Sequence, residues 1–137
     1  MILKNNKHNF YSEWRKKLNT SNKYCMDIDF VEYCFYENEI IPYALIEITE
    51  IENHNELENC TWNKNKMFKK NHIKLLEFFS KKLQIPWFLV LTKVIKDKRY
   101  FKIYNNELEN EKVINERQFL DILEALKEHS IKKYIDE

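Results

Sequence analysis

The 137-residue chain contains no glycine. Phosphate-cradling loops need a residue without a side chain where the backbone approaches the ligand, so neither a P-loop nor a dinucleotide fingerprint can be built here. Cysteine is scarce. Cys25, Cys34 and Cys60 make an odd number without metal-site spacing, which predicts reduced thiols in a reducing compartment. His54, Cys60 and His72 have ligand chemistry, but their spacing matches no zinc pattern. No local signature pairs a cysteine with a histidine base. Proline occurs twice, at Pro42 and Pro86. No apolar run approaches a membrane span, and the opening Met-Ile-Leu-Lys-Asn-Asn-Lys lacks the apolar core of a signal peptide. The expectation is a soluble, cytoplasmic protein with no membrane partner.

What is present is an apolar fraction of 44% with 20 aromatic side chains, enough for a core in one domain spanning 1–137. The net charge of +1 hides a segregation along the chain. Residues 1–23 carry a net +5, residues 24–63 carry −10 with no lysine or arginine, residues 64–104 carry +10, and residues 105–137 carry −4. An acidic centre between basic segments fits a cation site within a polyanion-binding groove. It equally fits acids and bases that pair across the fold or lie on opposite solvated faces.

Periodicity predicts the elements. Asn9–Leu18 fits a short amphipathic helix with Phe10, Trp14 and Leu18 on one side. Tyr24–Tyr36 and Ile40–Ile51 read as strands joined by Glu37-Asn38-Glu39 into a hairpin, with Pro42 near a strand start or edge. Phe68, His72, Leu75, Leu76, Phe79 and Leu83 recur at helical spacing over Lys66–Leu83, and Gln84-Ile85-Pro86 ends that helix. Trp87–Val94 is a continuous apolar run, which predicts a strand buried on both faces. Asp97-Lys98 is a turn, Arg99–Tyr104 alternates as a strand, and Glu116–His129 is a closing helix. The expected fold class is α/β: a small mixed sheet flanked by helices, in the order αββαββα, with a parallel crossover through the central helix.

The chemistry concentrates in the two strands of the first hairpin. Asp27 and Asp29 stand two apart, so both face the same way, and Glu47 follows the apolar run Ala44-Leu45-Ile46. Carboxylates set in hydrophobic strands are expensive to desolvate and usually have a partner or a task. Two of them converging from adjacent strands would form a site for a hard divalent cation such as Mg²⁺. Taken singly, Asp27 and Asp29 read as solvent-facing strand residues, Glu13 as a surface helix acid, and the lysine-rich helix as a solvated face.

Glu-Trp-Arg in the first helix, Asp-Ile-Asp-Phe-Val-Glu-Tyr in the first strand, Ala-Leu-Ile-Glu-Ile-Thr in the second and Leu-Gln-Ile-Pro-Trp-Phe-Leu-Val-Leu further on resemble the PD-(D/E)XK nuclease superfamily over roughly residues 10–104. The resemblance implies a restriction-endonuclease-like fold and Mg²⁺- or Mn²⁺-dependent hydrolysis of nucleic acid, DNA before RNA, with a possible homodimer spanning a duplex. It implies Asp29 and Glu47 as metal ligands, the Ile48 carbonyl as a further oxygen, and Glu13 as an additional helical ligand. Asp27 competes with Asp29 for the ligand role.

The family pattern has a lysine two residues after the glutamate, where this chain has Thr49. Threonine hydrogen-bonds but brings no charge to a phosphate in transition. Three outcomes follow. Lys66, Lys69 or Lys70 reaches the site from the helix; Glu50 or a second metal activates water; or the site binds without cutting and the protein is a nucleic-acid-binding or protein-interaction module. Lys66, Lys69, Lys70 and Lys74, with Lys93, Lys98 and Arg99, are the expected phosphate contacts, and Trp62 is a stacking candidate.

Overall fold

The structure, a computed structural model of the chain, describes residues 13, 14, 17, 28–51, 57, 70–105 and 112–137. Within these residues the chain forms a five-stranded mixed sheet and two long helices. Strands β1 (Phe30–Tyr36) and β2 (Glu39–Glu50) pair antiparallel. They turn through Glu37 and Asn38 at φ 49° and 67°, the two left-handed positions that the right-handed twist of a tight hairpin demands. The ladder skips one residue of β2 between the pairs Glu32–Ala44 and Tyr33–Pro42. Pro42 has no N–H to give a ladder and sits beside this irregularity. The displaced Tyr43 donates its hydroxyl hydrogen to Glu32 Oε2 at 3.3 Å.

After β2 the chain crosses over through helix α1 (Lys70–Leu83) and returns as β3 (Trp87–Ile95), parallel to β2. The Leu45 N–H donates to the Pro86 carbonyl at 3.0 Å and the Ile51 N–H to the Thr92 carbonyl at 2.9 Å, extending the parallel ladder at both ends. Strand β4 (Lys98–Tyr104) follows a second tight turn, Lys96-Asp97, at φ 50° and 65°. Strand β5 (Val113–Asn115) closes the sheet, and helix α2 (Glu116–Asp136) completes the chain. The sheet order β1-β2-β3-β4-β5 follows the sequence.

Side-chain alternation divides the core between the two faces of the sheet. Leu45, Trp87, Leu89 and Leu91 pack with Leu76, Ile73 and Phe79 of α1. Ala44, Ile46, Phe88, Val90, Phe101 and Ile103 pack with Phe119, Ile122, Leu123 and Leu126 of α2. The rings of Phe101 and Phe119 stack at 4.3 Å. Leu89 and Val90 are adjacent in sequence and both inaccessible, so β3 is covered on both faces as its apolar run predicts.

Both hairpins, the central helix, the parallel crossover and the buried strand agree with expectation. The expected order αββαββα does not match the described elements, which run ββαβββα. Of the first predicted helix only Glu13, Trp14 and Lys17 are described; they are helical and exposed. The unexpected β5 is three residues long, too short to show a period. It pairs with β4 because Asn115, its last residue, also caps α2: Asn115 Oδ1 accepts from the Gln118 N–H, and Gln118 Oε1 accepts from the Asn115 N–H, both at 2.9 Å. Helix α2 continues to Asp136 rather than ending at His129. Its last turns lie against the sheet edge, with Tyr134 edge-on to Tyr36 at 6.1 Å and Lys133 Nζ donating to the Gln84 carbonyl at 3.2 Å.

Burial pushes the Tyr43 phenol above its ordinary value of 10.0, and the Glu32 carboxylate adds to the shift. Below pH 10 both folded and unfolded chains keep the proton; above it the unfolded chain releases it first, so stability falls as pH rises. Urea unfolding from pH 7 to 11 should therefore show a steeper alkaline loss for the wild type than for Tyr43→Phe. At pH 7 the variant should be less stable by about 1 kcal/mol, the loss of one hydrogen bond.

Candidate functional site

The antiparallel register that pairs Phe30 with Ile46 brings Asp29 opposite Glu47. The two residues then bind each other's strand. The Asp29 N–H donates to Glu47 Oε1 at 3.1 Å, and the Ile48 N–H donates to Asp29 Oδ2 at 3.0 Å. Each carboxylate is oriented by a backbone N–H across the pair, which holds both side chains together at the mouth of the hairpin. Their surroundings differ: Glu47 is 6% exposed in the middle strand of a covered sheet, whereas Asp29 is open to solvent. Two negative charges at this separation attract a cation, and the burial of one removes the screening water that would weaken the attraction.

Thr49 lies two residues beyond Glu47 on the same face, half-buried and in register with Leu91. The Ile48 side chain is on the other face, against the α2 side of the core. Glu13 is exposed and helical. Asp27, Trp62, Lys66 and Lys69 lie outside the described residues. Lys70 opens α1, and Lys74 is exposed on that helix. By alternation from Leu89 and Leu91, Lys93 is on the Glu47 face of β3 and half-buried; Lys98, paired with Ile95, is on the same face at the exposed start of β4.

Arg99 is on the opposite face. Its Nη1 donates to Thr92 Oγ1 at 3.1 Å and its Nη2 lies 3.6 Å from Glu50 Oε1, while Thr92 Oγ1 donates to the Tyr100 carbonyl at 2.9 Å. The guanidinium thus braces β2, β3 and β4 on the α2 side. Sequence reasoning did not pick out Lys102. It alternates with Lys98 and Tyr100 on one face of β4 and is 4% exposed. A period of two carried inward from the Lys96-Asp97 turn marks its face.

The donors available to a metal are hard oxygens. Among the described residues no group of three or more His, Cys, Asp or Glu side chains gathers. Two carboxylates with water and substrate phosphate completing the shell is nevertheless an ordinary arrangement for Mg²⁺, so the pair fits that ion and not a thiolate-seeking one. An open recess of about 230 Å³ lies at the other end of β2, between the ends of α1 and α2, lined by Pro42, Gln84, Lys133 and Tyr134 among others. It contains no part of the carboxylate pair. No helix of the described residues is long and apolar enough to cross a membrane.

No protein-family model matches this chain, and neither a curated protein nor a solved structure matches it significantly.

Replacing Asp29 with alanine removes the acceptor for the Ile48 N–H at the open end of the hairpin. Urea unfolding should report a loss of about 1 kcal/mol for Asp29→Ala and less for Asp29→Asn, which keeps an acceptor oxygen.

Proposed function

We propose that the protein is a divalent-cation-dependent nuclease of the PD-(D/E)XK kind, with a restriction-endonuclease-like core, acting on DNA in preference to RNA. The observation that carries this reading is the Asp29–Glu47 pair, two carboxylates cross-braced through the backbone of adjacent strands. The mixed sheet with a parallel crossover after the glutamate strand supports it. So does the basic surface offered by Lys74, Lys93 and Lys98, with Lys66, Lys69 and Lys70 close by in sequence. A cytoplasmic site of action and a homodimer spanning a duplex belong to the same proposal.

In this mechanism Asp29 and Glu47 hold Mg²⁺ or Mn²⁺, with the Ile48 carbonyl as a further oxygen donor. The ion, when bound, supplies Lewis acidity toward the scissile phosphate and lowers the pKa of the attacking water. The carboxylates fix where the phosphate sits, and the burial of Glu47 keeps competing water out. The lysines neutralise flanking phosphates, so binding weakens steeply with salt. One P–O bond forms to the oxygen of water, one P–O bond to the departing sugar oxygen breaks, and the water proton ends on that oxygen.

A second reading is favoured by one observation: Thr49 is neutral where the family has a lysine. On it, the fold survives as a nucleic-acid-binding or protein-interaction module that does not cut.

Labelled single-stranded, duplex and branched DNA, and RNA, incubated with Mg²⁺ or Mn²⁺ against EDTA, separate the two. The nuclease reading expects metal-dependent cutting by the wild type that Glu47→Ala abolishes. Salt-sensitive binding without cutting, with cleavage gained in Thr49→Lys, would instead identify the module. Cation binding and cutting that both survive Glu47→Ala and Asp29→Ala would sink the site altogether.

A further inference from the structure

Among the described residues the buried charged side chains are Glu47 and Lys102, at 6% and 4% exposure. They come from the two ends of the charge segregation, and the register brings them to one face of the sheet. Thr49 pairs with Leu91, and Leu91 pairs with Lys102, so the three form a single row across β2, β3 and β4. Neighbouring strands are about 4.8 Å apart, so the Lys102 backbone stands about 10 Å from that of Thr49 with one leucine between. A lysine's four-carbon stem is long enough to carry its ammonium over that leucine. A buried lysine requires a counter-charge, and the buried acid on its own face is Glu47. Lys74 is exposed on α1 and Arg99 is engaged on the opposite face, so neither matches this placement.

Building on the nuclease reading, we infer that Lys102 supplies the positive charge that Thr49 lacks, its ammonium contacting a non-bridging oxygen of the phosphate held at Asp29 and Glu47. The lysine position has moved along a row of the sheet, from the strand of the glutamate to the second strand over. Lys102 acts electrostatically. It keeps its proton throughout, forms no bond to phosphorus, and stabilises the negative charge that grows on the phosphoryl oxygens as water adds and the sugar oxygen leaves. In the absence of substrate the same charge offsets the repulsion between the two carboxylates.

The test uses the full chain carrying Lys102→Met, Lys102→Met with Thr49→Lys, and Lys93→Met as a same-face comparison, each checked for folding by circular dichroism. Lys102→Met should cut 10²–10³-fold more slowly at saturating DNA, with DNA affinity in EDTA within about two-fold of wild type. Adding Thr49→Lys should restore part of the rate. Lys93→Met should instead weaken binding and lower its salt dependence. Calorimetric titration with Mn²⁺ alone gives a readout independent of cleavage: loss of a neighbouring unit charge should tighten Mn²⁺ binding in Lys102→Met roughly five-fold. If the methionine variant does not fold, Lys102→Gln is read by the same measurements. Wild-type cutting and wild-type Mn²⁺ affinity in the folded variant overturn the inference while leaving the nuclease reading intact. If the wild type cuts nothing, the nuclease reading falls; tighter Mn²⁺ binding in the variant would then still support the placement of the charge, and unchanged binding would remove that as well.

Discussion

The parallel pairing of β2 with β3 is the constraint on which the rest of the molecule depends. Parallel neighbours cannot be joined by a tight turn, so the chain between them must cross over, and α1 is the crossover. The helix covers one face of the two central strands, and α2 covers the other. A strand covered on both faces must be apolar along its length, and β3 meets that demand without exception from Trp87 to Leu91. Strand β2 breaks it once, at Glu47. A carboxylate is tolerated there because Asp29, from the edge strand, gives it a backbone N–H and returns its own carboxylate to the neighbouring residue. The candidate site is thus a local exception to the packing rule that forms the sheet.

Much of this was readable before any coordinates. The hairpins followed from β-rich runs separated by short polar turns, the crossover from a helical period placed between two apolar runs, and the buried strand from the absence of any polar residue between Trp87 and Leu91. The pairing of Asp29 with Glu47 was foreshadowed by residue type but not by register. Register depends on the skipped position between Tyr33 and Pro42 and on a two-residue turn made without glycine, neither of which has a strong local signature. The short β5 and the last turns of α2 were invisible for a related reason. Both are held by tertiary contacts, the Lys133–Gln84 bond among them, and not by a pattern of their own.

The segregation of charge along the chain has two structural outcomes. Glu50 from the acidic stretch and Arg99 from the basic one meet across the sheet with Thr92 between them, which is the plain pairing of opposite blocks. Glu47 and Lys102 come from the same two blocks but are withdrawn from solvent on the other face, where a charge interacts more strongly than at the surface. One segregation thus produces a partly exposed brace on the α2 side and a buried polar row on the α1 side. A linear charge profile cannot distinguish these, because face is decided by alternation within each strand.

The five left-handed backbone positions of the described chain are held by Glu37, Asn38, Gln84, Lys96 and Asp97. Residues with a β-carbon adopt this conformation at a cost of about 1–2 kcal/mol, less for Asn and Asp, whose short side chains bond locally. Two hairpins and a helix end therefore stay closed against a standing conformational penalty that no other feature of those corners removes. The penalty is also latent evolutionary capacity. Each corner lies one amino-acid replacement from a cheaper conformation, at positions distant from the packed centre. A lineage of this protein can draw stability from its turns to tolerate a disruptive change in the buried row, where activity would be altered and where any substitution is structurally expensive.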